Sequence, residues 1–209
     1  MLDSDQISAV TRSLGTRTLE AGEAHVATIT RTYGTDLHDL WEACTSAERI
    51  ARWLLPVTGE LRLGGRYQLE GNAGGVVERC DPPHGFAATW EFGGGLSWIT
   101  LRLTAVDAGH TRFELEHVAH VDDAMWAEYG PGATGIGWDI SLLCLHRHLA
   151  DPAADRLDEA AWAATDEGRR FMTGSGDSWC AADVAAGADA TLARAAADRT
   201  ITAFTATGS

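Results

Sequence analysis

Residues 135–149 read Gly135-Ile136-Gly137-Trp138-Asp139-Ile140-Ser141-Leu142-Leu143-Cys144-Leu145-His146-Arg147-His148-Leu149. Trp138, Leu142, Leu145 and Leu149 recur at helical spacing, which predicts one apolar stripe along an α-helix about 20 Å long. A stripe of this length needs a large apolar surface to cover it. The fold therefore depends on what packs against this helix.

The covering surface is predicted just upstream, in residues 57–121. Short β-type segments alternate there with glycine-rich turns, beginning at Leu61-Arg62-Leu63, and this pattern is typical of a six-strand antiparallel meander. The inward-facing positions of the last two strands would be Ile99, Leu101, Leu103, Phe113, Leu115, His117 and Ala119. We therefore predict an α+β fold in which a long helix lies across a curved antiparallel sheet.

Residues 1–22 are predicted to form a helical N-terminal extension, with Ser4 as N-cap and apolar positions at Ile7, Val10 and Leu14. A first β-strand is predicted over residues 24–33, which are rich in β-branched side chains. Two short helices should follow. Asp36 and Ser46 are their N-caps, and Pro56 ends the second.

The main domain is expected to span residues 23–150 and to end at Asp151-Pro152. Helical spacing continues in residues 151–209, first over Phe171, Ser175, Trp179 and Ala182, and then over Ala193, Ala197, Ile201 and Phe204. The aliphatic content of this segment is too low for a core of its own. We expect a helical C-terminal extension that packs on the domain or on a partner, including a second copy of the chain.

Composition excludes several classes of protein. The formal net charge is −14 and disfavours nucleic acid or anionic membrane as partners. No lysine occurs in the sequence, which excludes Schiff-base and P-loop lysine chemistry. The four cysteines form no C-x-x-C pair, Asp3 and Asp5 precede any apolar run, and no apolar segment is long enough to span a membrane. These features predict a cytoplasmic protein with reduced thiols.

The chain resembles the SRPBCC superfamily, in particular its AHSA1-like branch (activator of Hsp90 ATPase homologue). The matching segments occur in the family's order over residues 24–150 and are Leu40-Trp41-Glu42-Ala43-Cys44-Thr45, Ile50-Ala51-Arg52-Trp53-Leu54-Leu55-Pro56, Leu63-Gly64-Gly65-Arg66-Tyr67, Asp81-Pro82-Pro83, Thr89-Trp90-Glu91, Phe113-Glu114-Leu115-Glu116-His117 and Gly137-Trp138. The resemblance implies a helix-grip fold with an apolar cavity between sheet and long helix. It does not imply one chemistry, because this fold hosts binders and enzymes.

Two motifs that resemble ligand sites also have simpler explanations. Residues 130–135 satisfy G-x-G-x-x-G, but the expected flanking strands of a dinucleotide site are missing, so a flexible glycine loop that gates the cavity is the alternative. His117 and His120 are three positions apart on a strand and point to opposite faces, which disfavours a shared metal. His117 is either a polar group inside the cavity or a core histidine. We predict no metal and no cofactor.

The leading hypothesis is a protein that binds a small hydrophobic molecule in this cavity. The candidate ligand-binding residues are Trp53, Tyr67, Trp90, Phe92, Leu101, Phe113, His117, Trp138 and Leu142. The alternative for this aromatic set is a filled core. Two other functions stay open: a cyclase, dehydratase or hydrolase that uses His117 or a buried carboxylate, and a chaperone regulator or interaction protein that uses residues 151–209. We assign no catalytic residue.

Overall fold

The computed structural model describes residues 2–206. Its helices are α1 (Leu2–Ser8), α2 (Leu37–Thr45), α3 (Ala47–Trp53), α4 (Asp123–Tyr129), α5 (Gly132–Ala150), α6 (Glu159–Ala163), α7 (Asp166–Ala185) and α8 (Ala190–Ala206). Its strands are β1 (Thr11–Leu19), β2 (Gly22–Tyr33), β3 (Val57–Gly59), β4 (Arg66–Leu69), β5 (Gly74–Asp81), β6 (Gly85–Phe92), β7 (Gly95–Ala105) and β8 (Thr111–Ala119). Within this part of the chain, no helix is long and apolar enough to cross a membrane.

The strands form one antiparallel sheet in the order β1-β2-β8-β7-β6-β5-β4-β3. The sheet is curved and does not close, and a bulge between Val77 and Arg79 shifts the register of β5 against β6. Alternation is clear on the central strands, where Ile99, Leu101 and Leu103 are buried on the concave face. The predicted antiparallel meander and the α+β helix-grip fold are confirmed.

Helix α5 lies across the concave face of this sheet, as the apolar stripe predicted. The Tyr33 hydroxyl, on β2, donates a buried 3.1 Å hydrogen bond to the Leu142 carbonyl on α5. However, α5 is buried on more than the predicted stripe, because Ile136 and Ile140 are also buried and α7 packs on this second side. The helix is therefore enclosed between the sheet and the C-terminal helices.

The N-terminal helix was predicted too long. It ends at Ser8, and residues 11–19 form β1, which pairs with β2 from Thr11↔Thr30 to Leu19↔Gly22. The proposed capping side chain of Ser4 lies outside the side chains that the structure describes, but α1 already begins at Leu2. Ile7 lies in α1 and Leu14 lies in the edge strand β1, so the helical spacing of Ile7, Val10 and Leu14 does not mark one helix.

Two other local predictions were wrong. Leu61-Arg62-Leu63 is a loop, and the first short strand of the meander is instead Val57–Gly59. The glycine run at 130–135 is not a flexible gating loop, because α5 begins at Gly132 and both Gly132 and Gly135 are buried. A Cβ on Gly135 would stand 2.2 Å from the Trp179 ring, so this glycine lets α7 approach α5 closely.

The predicted strand at 24–33, the short helices after Asp36 and Ser46, and the two tail helices are all present. Helix α6 brings Trp162, and α7 brings Phe171, Met172 and Trp179, into the same apolar core as the sheet. Residues 151–209 thus contribute, over their described part, to the core of the domain they follow. A role for them in binding a partner or a second copy stays a prediction.

Candidate functional site

An apolar cavity of about 450 Å³ lies between the concave face of the sheet and α5. Helices α2 and α3 and the loop after β3 complete its wall. The lining residues are Trp41, Cys44, Thr45, Ile50, Trp53, Leu54, Val57, Leu61, Arg62, Leu63, Tyr67, Leu69, Val77, Cys80, Pro82, Phe86, Ala88, Trp90, Ile99, Leu101, Phe113, Leu115, Trp138, Ser141, Leu142 and Leu145. The predicted hollow is therefore present and is not filled by its own aromatic side chains.

The periodicities of sheet and helix bring these side chains together. On β6, Phe86, Ala88 and Trp90 alternate inward, and β7 and β8 present Leu101 and Phe113 in the same way. On α5 the inward side chains recur at helical spacing. Trp53 is fixed at the end of α3, because its indole Nε1 donates to the Ala43 carbonyl at 2.9 Å.

Seven of the nine candidate residues line this cavity: Trp53, Tyr67, Trp90, Leu101, Phe113, Trp138 and Leu142. The two others do not. Phe92 stands at the end of β6 with 59% of its surface exposed, and His117 lies behind Trp138. The sequence reading missed other members of the wall, notably Trp41, Ile50 and Phe86, although their spacing on α2, α3 and β6 could have indicated them.

The polar side chains of the wall are occupied by internal hydrogen bonds. The Tyr67 hydroxyl donates to the Thr89 carbonyl at 2.7 Å, and the hydroxyls of Thr45 and Ser141 donate to carbonyls one helical turn back, at 2.7 Å and 3.0 Å. Burial raises the pKa of Tyr67 to about 12 and the pKa of the Cys44 thiol to about 12. Both groups are therefore neutral at physiological pH, and the charged side chain among the described residues of the wall is Arg62, in the exposed loop.

His117 is at the centre of a short chain of hydrogen bonds behind the cavity wall. The indole Nε1 of Trp138 donates to His117 Nδ1 at 3.3 Å, and His117 Nε2 is 2.9 Å from Ser97 Oγ, which donates to the Trp90 carbonyl at 3.0 Å. Because Nδ1 accepts, the imidazole proton must reside on Nε2. Burial lowers the pKa of His117 to about 4, so the ring is neutral. Both of its nitrogens are engaged, as in a core histidine.

A second space, which we call the outer groove, adjoins the cavity on the side of α5. It is lined by Leu54, Leu55, Leu69, Glu70, Gly71, Asn72, Trp90, Phe92, Ala133, Thr134, Gly137, Trp138, Ser141, Arg156, Leu157, Asp158 and Glu159, and its volume is about 820 Å³. Trp90 and Trp138 belong to both walls, with ring centroids 5.1 Å apart and planes at 50°. This tryptophan pair forms the partition between the two spaces.

On its far side, α5 carries a buried ion pair that sequence reasoning did not find. Arg12 of β1 binds the Asp139 carboxylate in bidentate fashion, with both N···O distances at 3.0 Å, and the two side chains are 5% and 1% exposed. The Ser175 hydroxyl and the Trp179 indole, both on α7, also donate to this carboxylate. Burial raises the pKa of Asp139, while these three donors lower it. The cluster links β1, α5 and α7.

Two other histidines, His25 and His120, lie away from the apolar cavity. His120 Nδ1 lies 3.0 Å from the Glu23 carbonyl, and His25 stacks on Trp126 with 3.6 Å between ring centroids. Among residues 2–206, no group of three or more His, Cys, Asp or Glu side chains is arranged to hold a metal ion. Trp98 makes an edge contact with His120. These side chains lie apart from the apolar cavity and outside its wall.

Comparison with known proteins agrees with this architecture. Residues 35–150 match the family described as Activator of Hsp90 ATPase homolog 1-like protein. The crystal structure of CalU16 from Micromonospora echinospora is 32% identical, covering 83% of this chain and 98% of that chain, with a TM-score of 0.67. Its solution NMR structure gives 31% identity, 86% and 97% coverage and a TM-score of 0.66.

A more distant structure shows the fold alone. The conserved protein of unknown function EF2215 from Enterococcus faecalis is 13% identical, with 87% of this chain and 99% of that chain covered and a TM-score of 0.61. No curated protein matches the chain. The match over residues 35–150 and the similarity to CalU16 along most of both chains agree with the helix-grip geometry. The chain therefore belongs to the Activator of Hsp90 ATPase homolog 1-like family of the SRPBCC superfamily.

Proposed function

We propose that this protein binds a small hydrophobic molecule in the apolar cavity. The observation that carries the proposal is the cavity itself, whose volume of about 450 Å³ falls within the range of small-molecule sites. An apolar cavity of roughly 150 Å³ holds one benzene molecule. The space here therefore suits a guest of two or three fused rings or an equivalent branched chain.

The composition of the wall favours an aromatic guest. Trp41, Trp53, Trp90 and Trp138 line the cavity together with Phe86, Phe113 and Tyr67. Aromatic pairs gain about 0.5–1.5 kcal/mol beyond the burial of their area, so a ring system would be held more firmly than an alkyl chain of the same volume. The internally bonded hydroxyls leave little polar recognition inside, and shape and burial would determine affinity.

The same wall supports binding over acid-base catalysis. No Asp, Glu or His side chain of the described residues lines the cavity. The raised pKa values of Tyr67 and Cys44, both about 12, make neither group an effective base or nucleophile near neutral pH. His117 has both nitrogens engaged behind Trp138. We also propose a cytoplasmic location, in keeping with the free thiols of all four cysteines.

The test combines two measurements. Native mass spectrometry of freshly purified protein should reveal a co-purified small molecule, and a neutral fluorescent probe, N-phenyl-1-naphthylamine, should bind at one saturable site. Ala88→Leu places extra carbons in the cavity and should weaken probe binding about tenfold or more, since overlap with the guest costs over about 1.4 kcal/mol. Ala87→Leu is the matched control, because the neighbouring side chain of β6 points to the opposite face.

Equal effects of the two leucine variants on probe affinity would contradict the proposal. So would the absence of saturable probe binding in wild-type protein from which any co-purified molecule has been extracted. Far-UV circular dichroism and the urea midpoint of each variant serve to show that a loss of binding is not a loss of fold.

A further inference from the structure

We infer that the outer groove is a second subsite for the same ligand, and that the part of the ligand lying there is neutral or basic and not acidic. This inference rests on the proposed function, because it assumes that a guest occupies the inner cavity. It goes further by assigning a polar end to that guest and the sign of its charge. The ligand would be an amphiphile with an apolar ring system and, in its preferred form, an amine.

The two spaces are close enough for one molecule to occupy both. They share Leu54, Leu69, Trp90, Trp138 and Ser141 as lining residues. The Trp90–Trp138 pair separates them by only a layer of side chains, with ring centroids 5.1 Å apart. A substituent that extends from the cavity past this pair would therefore enter the groove.

The charges are distributed unequally between the two spaces. The inner wall has no carboxylate among its described residues, and its one cation, Arg62, pairs with Glu60 at 2.7 Å. Among its described lining residues, the outer groove has three carboxylates, Glu70, Asp158 and Glu159, against the single guanidinium of Arg156.

The charged side chains of the groove differ in whether they already have hydrogen-bond or ion-pair partners within the protein. Arg156 donates to the Leu54 carbonyl at 2.9 Å, and Asp158 accepts from the Ala161 amide as the N-cap of α6. Burial raises the pKa of the Glu159 carboxyl and the nearby Arg156 guanidinium lowers it, but neither Glu159 nor Glu70 is in an ion pair within the described part of the chain. The groove therefore has a negative potential that repels a carboxylate or sulfonate and attracts an ammonium group.

The floor of the groove offers a second reason to expect a cation. Phe92 is 59% exposed there, beside the partly buried rings of Trp90 and Trp138. Exposed aromatic faces attract ammonium groups through their ring quadrupole, and the attraction grows when the site is partly desolvated. An aromatic floor with carboxylates at its margin is thus suited to an amine attached to an apolar body.

The test uses three naphthalene probes that share the ring and differ in charge: 1-naphthylmethylamine, 1-naphthylmethanol and 1-naphthoic acid. Each displaces N-phenyl-1-naphthylamine from wild-type protein, from a Glu70→Gln/Glu159→Gln variant, and from a Glu20→Gln control in the turn between β1 and β2. We expect affinity to fall in the order amine, alcohol, acid. The amine should lose about fivefold in the double variant, as for loss of one close ion contact in a solvated site. The control should leave the order unchanged.

A salt titration provides a measurement that does not depend on the variants, because the preference for the amine should shrink as sodium chloride rises. Equal affinities for the three probes, or tightest binding of the acid, would overturn the inference while leaving the proposed function intact. Failure of N-phenyl-1-naphthylamine itself to bind would remove the proposed function, and the inference with it.

Discussion

The buried ion pair behind α5 gives the sharpest test of how this fold is held together. Arg12 and Asp139 are 5% and 1% exposed and contact each other through two 3.0 Å hydrogen bonds. Removing one partner of such a pair leaves an uncompensated buried charge and typically costs about 3–5 kcal/mol. We therefore expect both Arg12→Met and Asp139→Asn to lower the free energy of unfolding by this amount at pH 7.

The two variants should differ in their dependence on pH. In Arg12→Met the buried carboxylate loses its strongest partner, and its pKa, already raised by burial, rises further above the unfolded value. An acid with a raised folded-state pKa stabilises the folded state at low pH and loses this contribution as the pH rises. The deficit of Arg12→Met relative to wild type should therefore shrink as the pH is lowered from 7 towards 4.

Asp139→Asn should show no such recovery, because it removes the carboxylate whose protonation relieves the deficit in Arg12→Met. The assay is urea unfolding at several pH values, followed by circular dichroism. The double variant Arg12→Met/Asp139→Leu serves as the matched control, since removing both charges should cost less than the sum of the single changes. Deficits below about 1 kcal/mol in both single variants would refute the reasoning, as such values are typical of exposed pairs.

Three further predictions concern glycine packing, histidine titration and one buried hydroxyl. Gly135→Ala should destabilise by about 1–3 kcal/mol because its Cβ would meet the Trp179 ring, whereas Gly137→Ala in the same helix meets nothing within 4 Å and should stabilise by about 0.5–1 kcal/mol; urea midpoints compare them. Because burial lowers the pKa of His117 to about 4, the unfolded chain takes up a proton first as the pH falls from 6.5. Stability should decline by about 3 kcal/mol between these values, and His117→Gln should remove that part of the slope in a pH series of urea midpoints. Tyr33→Phe should cost about 1 kcal/mol in the same assay, since it removes the hydrogen bond to the Leu142 carbonyl on α5.

The sheet and the long helix could be predicted because their signals are local. Alternation over Ile99, Leu101 and Leu103, and helical spacing over Leu142 and Leu145, each identify a buried face without knowledge of what covers it. The same local logic brought seven candidate residues to the cavity wall. Such patterns determine which way a side chain points, and this is enough to define a concave site between two faces.

The elements that were missed depend on contacts between distant parts of the chain. Asp139 was given no role from the sequence, and its partners Arg12 and Ser175 are 127 and 36 residues away. For β1, pairing with β2 overrides an apparent helical spacing. Phe92 has the same inward phase as Trp90, but β6 ends there, where the outer groove leaves the ring exposed.

The crowding of indole rings around the cavity has an optical consequence. Four of the eight tryptophans, Trp41, Trp53, Trp90 and Trp138, line the cavity, so half of the indole rings border whatever occupies it. An aromatic guest whose absorption overlaps the indole emission would quench these rings by resonance energy transfer. Binding to the cavity should therefore quench the intrinsic tryptophan fluorescence. Unlabelled compounds could be screened by this quenching.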